Sequence, residues 1–220
     1  MTLLYKTTEL TINKQRWLVR EFVDRDQFPT AQEKIDIGVA SWGSDVPESL
    51  WPLCGVLWPS GVALAELVAT MNFSGKRILE IGCGVALASM VIHRNGYDLT
   101  ASDYNSFAAD LLLENQSLNN LSPVKFEKLS WQDPYAGKPY DVIIGSDVMY
   151  EPGCAEALSQ FLRAALMETG EALFVDPGRA HVRKFETTLQ RDGFHCDVEW
   201  PVAGGKVRVL RVKRASPGKT

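Results

Sequence analysis

From about residue 59 onward, apolar positions alternate between short continuous runs and stripes of helical period. A helix over 60–71 opens after Pro59, with Ser60 as its N-cap and Leu64, Leu67, Val68 and Met71 on one face. A strand over 76–81, carrying Ile78, Leu79 and Ile81, passes through Gly82 and Gly84 into a helix over 85–95 that Gly96 stops. Strands over 97–101, 124–129, 140–145 and 172–175 and helices over 106–119, 155–167 and 180–191 continue the pattern. Leu111, Leu112 and Leu118 face inward on the first of these helices. Strands over 194–200 and 206–212, joined by a glycine-bearing turn at 201–205, close the chain. Continuous apolar strands are buried on both faces, and parallel strands need helical crossovers. The expected fold is therefore α/β: a Rossmann-like, mostly parallel seven-stranded sheet with helices on both faces and a C-terminal antiparallel hairpin.

The first 57 residues differ. Positions 9–12 and 16–23 have strand composition around Asn13-Lys14, which predicts a β-hairpin. Positions 24–58 are irregular, with Pro29, Pro47 and Pro52 and tryptophans at 42, 51 and 58. A stretch of that length is either a lid or binding segment, or a cover for one edge of the core. The expected organisation is an N-terminal extension over 1–57, a main domain over 58–214 and a flexible tail over 215–220.

Composition narrows the classes. The chain has 220 residues, 45% of them hydrophobic, enough to bury one full core. No stretch of eighteen apolar residues or signal-peptide pattern occurs, so neither membrane insertion nor secretion is expected. Cys54, Cys83, Cys154 and Cys196 lack C-x-x-C spacing and the histidines lack ligand spacing, which points to no metal and to a reduced, cytoplasmic protein. The net charge of −4 argues against a broad nucleic-acid surface.

The candidate chemistry centres on residues 75–90, GKRILEIGCGVALASM. A strand, a glycine turn and a helix in that order place bare backbone amides at the carboxyl edge of a sheet, where such folds bind nucleotide-like ligands. Leu87 stands where a dinucleotide fingerprint has its third glycine, which counts against NAD. Glu80, two residues before Gly82, would repel a pyrophosphate and favour a ligand carrying an ammonium and a sulfonium. S-adenosylmethionine (SAM) is such a ligand. Asp103 ends the next strand and is placed either to accept from both ribose hydroxyls or to cap the following helix. Trp131, after the third strand, either flanks an adenine or covers the sheet edge.

The fourth strand ends in Gly145-Ser146-Asp147-Val148-Met149-Tyr150. Asp147 and Tyr150, three apart, can face one pocket and hold a lysine ammonium, although Asp147 can also cap a helix. The fifth strand ends in Asp176-Pro177-Gly178-Arg179, either a plain turn or a second substrate wall with Arg179 aimed at an acidic group.

In combination, Leu57-Trp58-Pro59, Glu80-x-Gly82-x-Gly84, Asp103, Leu129-Ser130-Trp131 and Gly145-Ser146-Asp147-x-x-Tyr150 resemble the small lysine methyltransferases of the seven-strand, class I SAM-dependent group. The resemblance implies that Trp58, Gly82, Cys83, Gly84, Asp103, Trp131 and Ser146 hold SAM, with Glu80 and Tyr104 beside them. It implies that Asp147 and Tyr150 lie next to the acceptor nitrogen of a protein lysine, and that S-adenosylhomocysteine leaves as product. The Asp176–Arg179 turn is similar to the branch that methylates the β subunit of electron transfer flavoprotein, and makes Asp176 and Arg179 candidate substrate contacts. Ala86 replaces a glycine common in the turn. A small-molecule N-methyltransferase, in the nicotinamide-like sense, and a catalytically silent binding module remain the alternatives.

Overall fold

A computed structural model of the chain describes residues 4–23, 51–151, 153–179, 181–199 and 207–215. Trp42, Pro29, Pro47, the turn at 201–205 and the tail from 216 lie outside these residues.

The chain opens with β1 (Tyr5–Ile12) and β2 (Gln15–Phe22), paired antiparallel. Asn13 and Lys14 both adopt positive φ, 46° and 63°, the conformation a two-residue hairpin turn needs to match strand twist. A 3-10 turn (Trp51–Gly55) leads to α1 (Pro59–Val68). The Rossmann-like portion then runs β3 (Arg77–Ile81), α2 (Leu87–Arg94), β4 (Asp98–Asp103), α3 (Phe107–Leu118), β5 (Lys125–Lys128) and β6 (Tyr140–Ser146). It continues with α4 (Cys154–Ala165), β7 (Leu166–Asp176), α5 (Val182–Arg191), β8 (Phe194–Glu199) and β9 (Arg208–Arg214).

The main sheet has seven strands in the order β5-β4-β3-β6-β7-β9-β8. The β3 to β7 pairings are parallel, and β9 adds antiparallel to both β7 and β8. Side chains alternate between two apolar layers, as the strand period requires. Ile78, Val142, Ile144, Leu173 and Val175 pack with α1, α2 and α3; Leu79, Ile81, Ile143, Ala172 and Phe174 pack with α4 and α5. The order reverses between β3 and β6, so the strand ends on either side of that switch open a crevice at the carboxyl edge.

The hairpin belongs to the first layer. Trp17, Val19 and Phe22 are buried in the same cluster as α1 to α3. Its β2 edge is satisfied by two asparagines one turn apart, Asn115 on α3 and Asn119 at its C-cap. Asn119 Oδ1 accepts from the Leu18 amide at 3.0 Å while its Nδ2 donates to the Leu18 carbonyl at 2.7 Å. Asn115 does the same for Arg20, at 2.6 and 3.2 Å. Two carboxamides thus imitate a neighbouring strand and leave that stretch of edge closed. Glu21, buried at the end of the hairpin, accepts from Thr8 Oγ1 at 2.6 Å and from the Leu57 amide at 2.9 Å. The hairpin is thereby tied to the residue before Trp58.

Several local expectations are corrected. The N-cap of α1 is Trp58, and Ser60 makes no cap and is buried inside the first turn. Helix α2 begins at Leu87 rather than at 85, because Ala86 sits at φ 61°, ψ 33°, a left-handed conformation that cannot continue a right-handed helix. Leu118 is 38% exposed; near the end of α3 it points away from the sheet. Helix α4 stops at Ala165, since β7 starts at Leu166 and pairs with Tyr140 of β6.

Candidate active site

The glycine turn, the β4 end and the β6 and β7 ends meet around a cavity of about 420 Å³, within the range that buries a small organic ligand. Gly82 and Gly84 adopt φ of 59° and 52°. A Cβ on Gly84 would lie 3.0 Å from the Cys54 carbonyl oxygen, and one on Gly82 would lie 3.2 Å from Val148 and 3.4 Å from Trp131. Both glycines are therefore required by conformation and by close approach. The turn is further pinned by Cys83 N–H donating to the Ser102 carbonyl at 2.9 Å and Ser102 Oγ donating to the Glu80 carbonyl at 2.7 Å.

Asp103 is buried, with both oxygens oriented by backbone amides: Oδ2 accepts from Gly84 at 3.1 Å and Oδ1 from Asn105 at 2.9 Å. Asn105, two residues before α3, accepts at Oδ1 from the Phe107 amide at 3.1 Å; the N-cap position itself is Ser106. Burial pushes the Asp103 carboxyl up to about 6, against the pull of those amides. Glu80 lines the cavity but is turned toward α2. Its Oε2 accepts from the Ser89 amide at 2.8 Å and, in a very short bond, from Ser89 Oγ. Desolvation raises Glu80 to about 7 despite those bonds. Burial likewise pushes the Cys54 and Cys83 thiols up, so both stay neutral packing groups.

Trp58 lines one wall with its indole N–H donating to the Leu53 carbonyl at 3.0 Å. Trp131 lines the cavity while packing in the layer of α4 and α5, and its Nε1 is buried with no acceptor among the described residues. It thus touches the cavity and covers the core at once. Tyr104 and Tyr150 face one another; burial pushes the Tyr104 phenol up to about 12 and pushes Tyr150 up as well. Neutral phenols at physiological pH can donate or line a wall, but neither acts as a base there.

Asp147 adopts φ 54°, its amide donating to the Val175 carbonyl at 2.8 Å across to β7. Its carboxylate is taken by Arg179 in a two-bond fork, Nε to Oδ1 at 2.5 Å and a terminal nitrogen to Oδ2 at 2.9 Å. The sequence set Asp147 against a lysine ammonium and Arg179 on a substrate wall aimed at an acidic group; in the structure the partner of each is the other. Asp176 does not reach the cavity. It is fully buried, and its Oδ1 accepts from the Gly178 and Arg179 amides at 2.7 and 2.8 Å. Its expected role in touching substrate is corrected to one of shaping the turn that presents Arg179.

Apart from Asp176, every residue the sequence offered as a cofactor, catalytic or substrate contact lines the cavity: Trp58, Glu80, Gly82, Cys83, Gly84, Asp103, Tyr104, Trp131, Ser146, Asp147, Tyr150 and Arg179. Cys54, Asn105 and Glu151 also line it. Asn105 follows the Asp103 strand end by two residues, and Glu151 directly follows Tyr150, so proximity to named motifs was the signal for both. Cys54 carried none.

A closed glycine turn, an acid at the next strand end and an aromatic-acid segment at the switch point together define a nucleoside-binding methyltransferase-type fold. The chain belongs to the lysine methyltransferase family, whose profile matches residues 48–186. Mouse histone-arginine methyltransferase METTL23 is 32% identical over 122 residues, covering 51% of this chain and 48% of that protein. Calmodulin-lysine N-methyltransferase of Arabidopsis thaliana is 27% identical, covering 63% of this chain and 50% of that protein. The chain spans about half the length of the curated relatives it matches. Among solved structures, the T. thermophilus 16S rRNA N2 G1207 methyltransferase, in complex with AdoMet and guanosine, aligns with a TM-score of 0.64 at 15% identity. That alignment covers 97% of this chain and 51% of the other, and it establishes the fold alone.

Proposed function

We propose that the chain is a SAM-dependent N-methyltransferase that modifies lysine side chains of a protein. The observation that carries this reading is the single cavity into which the Gly82–Gly84 turn, Asp103 and the Asp147–Tyr150 segment all open. SAM supplies an electrophilic methyl on a sulfonium. Asp103, oriented by two amides, holds ribose hydroxyls; the glycine turn admits close backbone approach; Trp58 and Trp131 enclose the base and methionine ends. The absence of a pyrophosphate-tolerant third glycine, with Leu87 in its place, and the acids Glu80 and Asp103 favour a cationic cofactor over NAD. Tyr150 and the forked Asp147 wall the acceptor side, where positioning a neutral nitrogen in line with the methyl does most of the work.

The finer placement, beside the branch acting on the β subunit of electron transfer flavoprotein, is supported by the Asp176–Arg179 turn. An arginine acceptor is the second reading, because Asp147 already fits a guanidinium and the mouse relative bears an arginine methyltransferase name. The test is transfer of tritiated methyl from SAM to histones, calmodulin, the flavoprotein β subunit and a cell lysate, followed by acid hydrolysis. Methyl-lysine in a protein band supports the proposal, and methyl-arginine moves it to the second reading. Label confined to small molecules, or none, overturns it.

A further inference from the structure

We infer that Glu151 is the counter-charge that receives the cationic side chain of the incoming acceptor; the inference rests on the methyltransferase reading above. The argument is a census of charge in the cavity. Four carboxylates line it: Glu80, Asp103, Asp147 and Glu151. Glu80 is bound by Ser89 on α2. Asp103 is bound by the Gly84 and Asn105 amides. Asp147 is closed by the Arg179 fork, and Arg179 is the one cationic side chain lining the cavity among the described residues. The carboxylate of Glu151 has no hydrogen-bond or ion-pair partner among those residues, and it is half-buried. A partly exposed acid without a protein partner, lining a cavity whose other acids are taken, is free to pair with a cation from outside the chain.

Position selects which cation. Glu80 and Asp103 stand at the β3 and β4 ends beside the glycine turn, the cofactor side. Glu151 stands past β6, next to Tyr150 in the segment that also carries Asp147, and is partly exposed. An ammonium arriving from a protein finds in Glu151 the one lining acid that no other described residue holds. A forked Asp147 presents a neutral pair, which does not hold the nitrogen in its charged, non-nucleophilic form.

The test compares wild type, Glu151→Gln and Glu151→Asp in methyl transfer from SAM to a pool of synthetic lysine-containing peptides. S-adenosylhomocysteine affinity is measured alongside by calorimetry. The expected result is a KM for the peptides raised about tenfold in Glu151→Gln, the size of a lost charge-assisted bond. Glu151→Asp should fall between, with kcat and S-adenosylhomocysteine affinity each kept within about twofold. An unchanged KM overturns the inference and leaves the methyltransferase reading standing. A matching loss of S-adenosylhomocysteine affinity also overturns it, by making Glu151 a cofactor ligand. Failure of wild type to methylate any peptide in the pool, or any protein in the assay above, removes the reading on which it rests.

Discussion

Replacing Glu80 by glutamine should make the protein more stable and a poorer binder of its cofactor. Glu80 is 3% exposed, and desolvation lifts its carboxyl from 4.5 to about 7. Between those values the folded state holds a proton that the unfolded chain has released. The stability contributed by this group is therefore fully present below pH 4.5 and lost as pH rises through about 7. At pH 8 the buried carboxylate costs about 3 kcal/mol, from the size of the rise. Glutamine keeps an oxygen for Ser89 and carries no charge, so Glu80→Gln should gain about 3 kcal/mol over wild type at pH 8 and under about 1 at pH 5. Urea unfolding of both proteins without cofactor, at both pH values, reads this as a difference of differences, which cancels the parallel titration of Asp103 to first order. The same variant should bind SAM more weakly, because the buried charge is what a cationic ligand repays. An equal effect of the substitution at the two pH values would refute the reasoning.

Other perturbations probe separate links. Asp103→Ala should weaken S-adenosylhomocysteine binding by about tenfold or more, whereas Asp147→Ala should leave it nearly intact and depress methyl transfer; calorimetry and a radiolabel assay separate the two. Gly84→Ala places a methyl against the Cys54 carbonyl at a φ of 52°, and should lower stability by about 2 kcal/mol, seen in thermal unfolding, along with cofactor affinity. Asn115→Ala removes bonds to the Arg20 amide, the Arg20 carbonyl and the Val85 carbonyl, and should cost about 3 kcal/mol with loosened hydrogen exchange in β2.

The alternation of buried strands and helices was legible because parallel strands leave continuous apolar runs that nothing polar interrupts. The hairpin was legible from Asn13-Lys14, though the way it is fastened was not. Asn115 and Asn119 read as polar positions on a helix, and only the folded chain puts them against the open edge of β2. Glu80, the Gly82–Gly84 turn and Asp103 could be placed on one cavity because they sit at or just past strand ends, a place fixed by local pattern. The acceptor side depends on β6 and β7 being neighbours, which brings Asp147 and Arg179 together across 32 residues. Asp176 was placed on the cavity for the same reason: its turn presents Arg179 there, yet its own side chain is buried off the cavity, with Oδ1 taken by the turn's amides. Ala86 shows a limit of propensity, since an alanine in a left-handed position shortened α2 where composition favoured helix.

The central claim is that the cavity beside Gly82, Gly84 and Asp103 is a site for SAM and its product. Thermal unfolding with S-adenosylhomocysteine, and separately with NAD, tests it most directly. A ligand present at 100 times its Kd adds about 2.7 kcal/mol, a rise in Tm of several degrees for a chain of this size. Stabilisation by S-adenosylhomocysteine that disappears in Asp103→Ala, with no response to NAD, is the predicted result. Stabilisation by NAD alone would contradict the account.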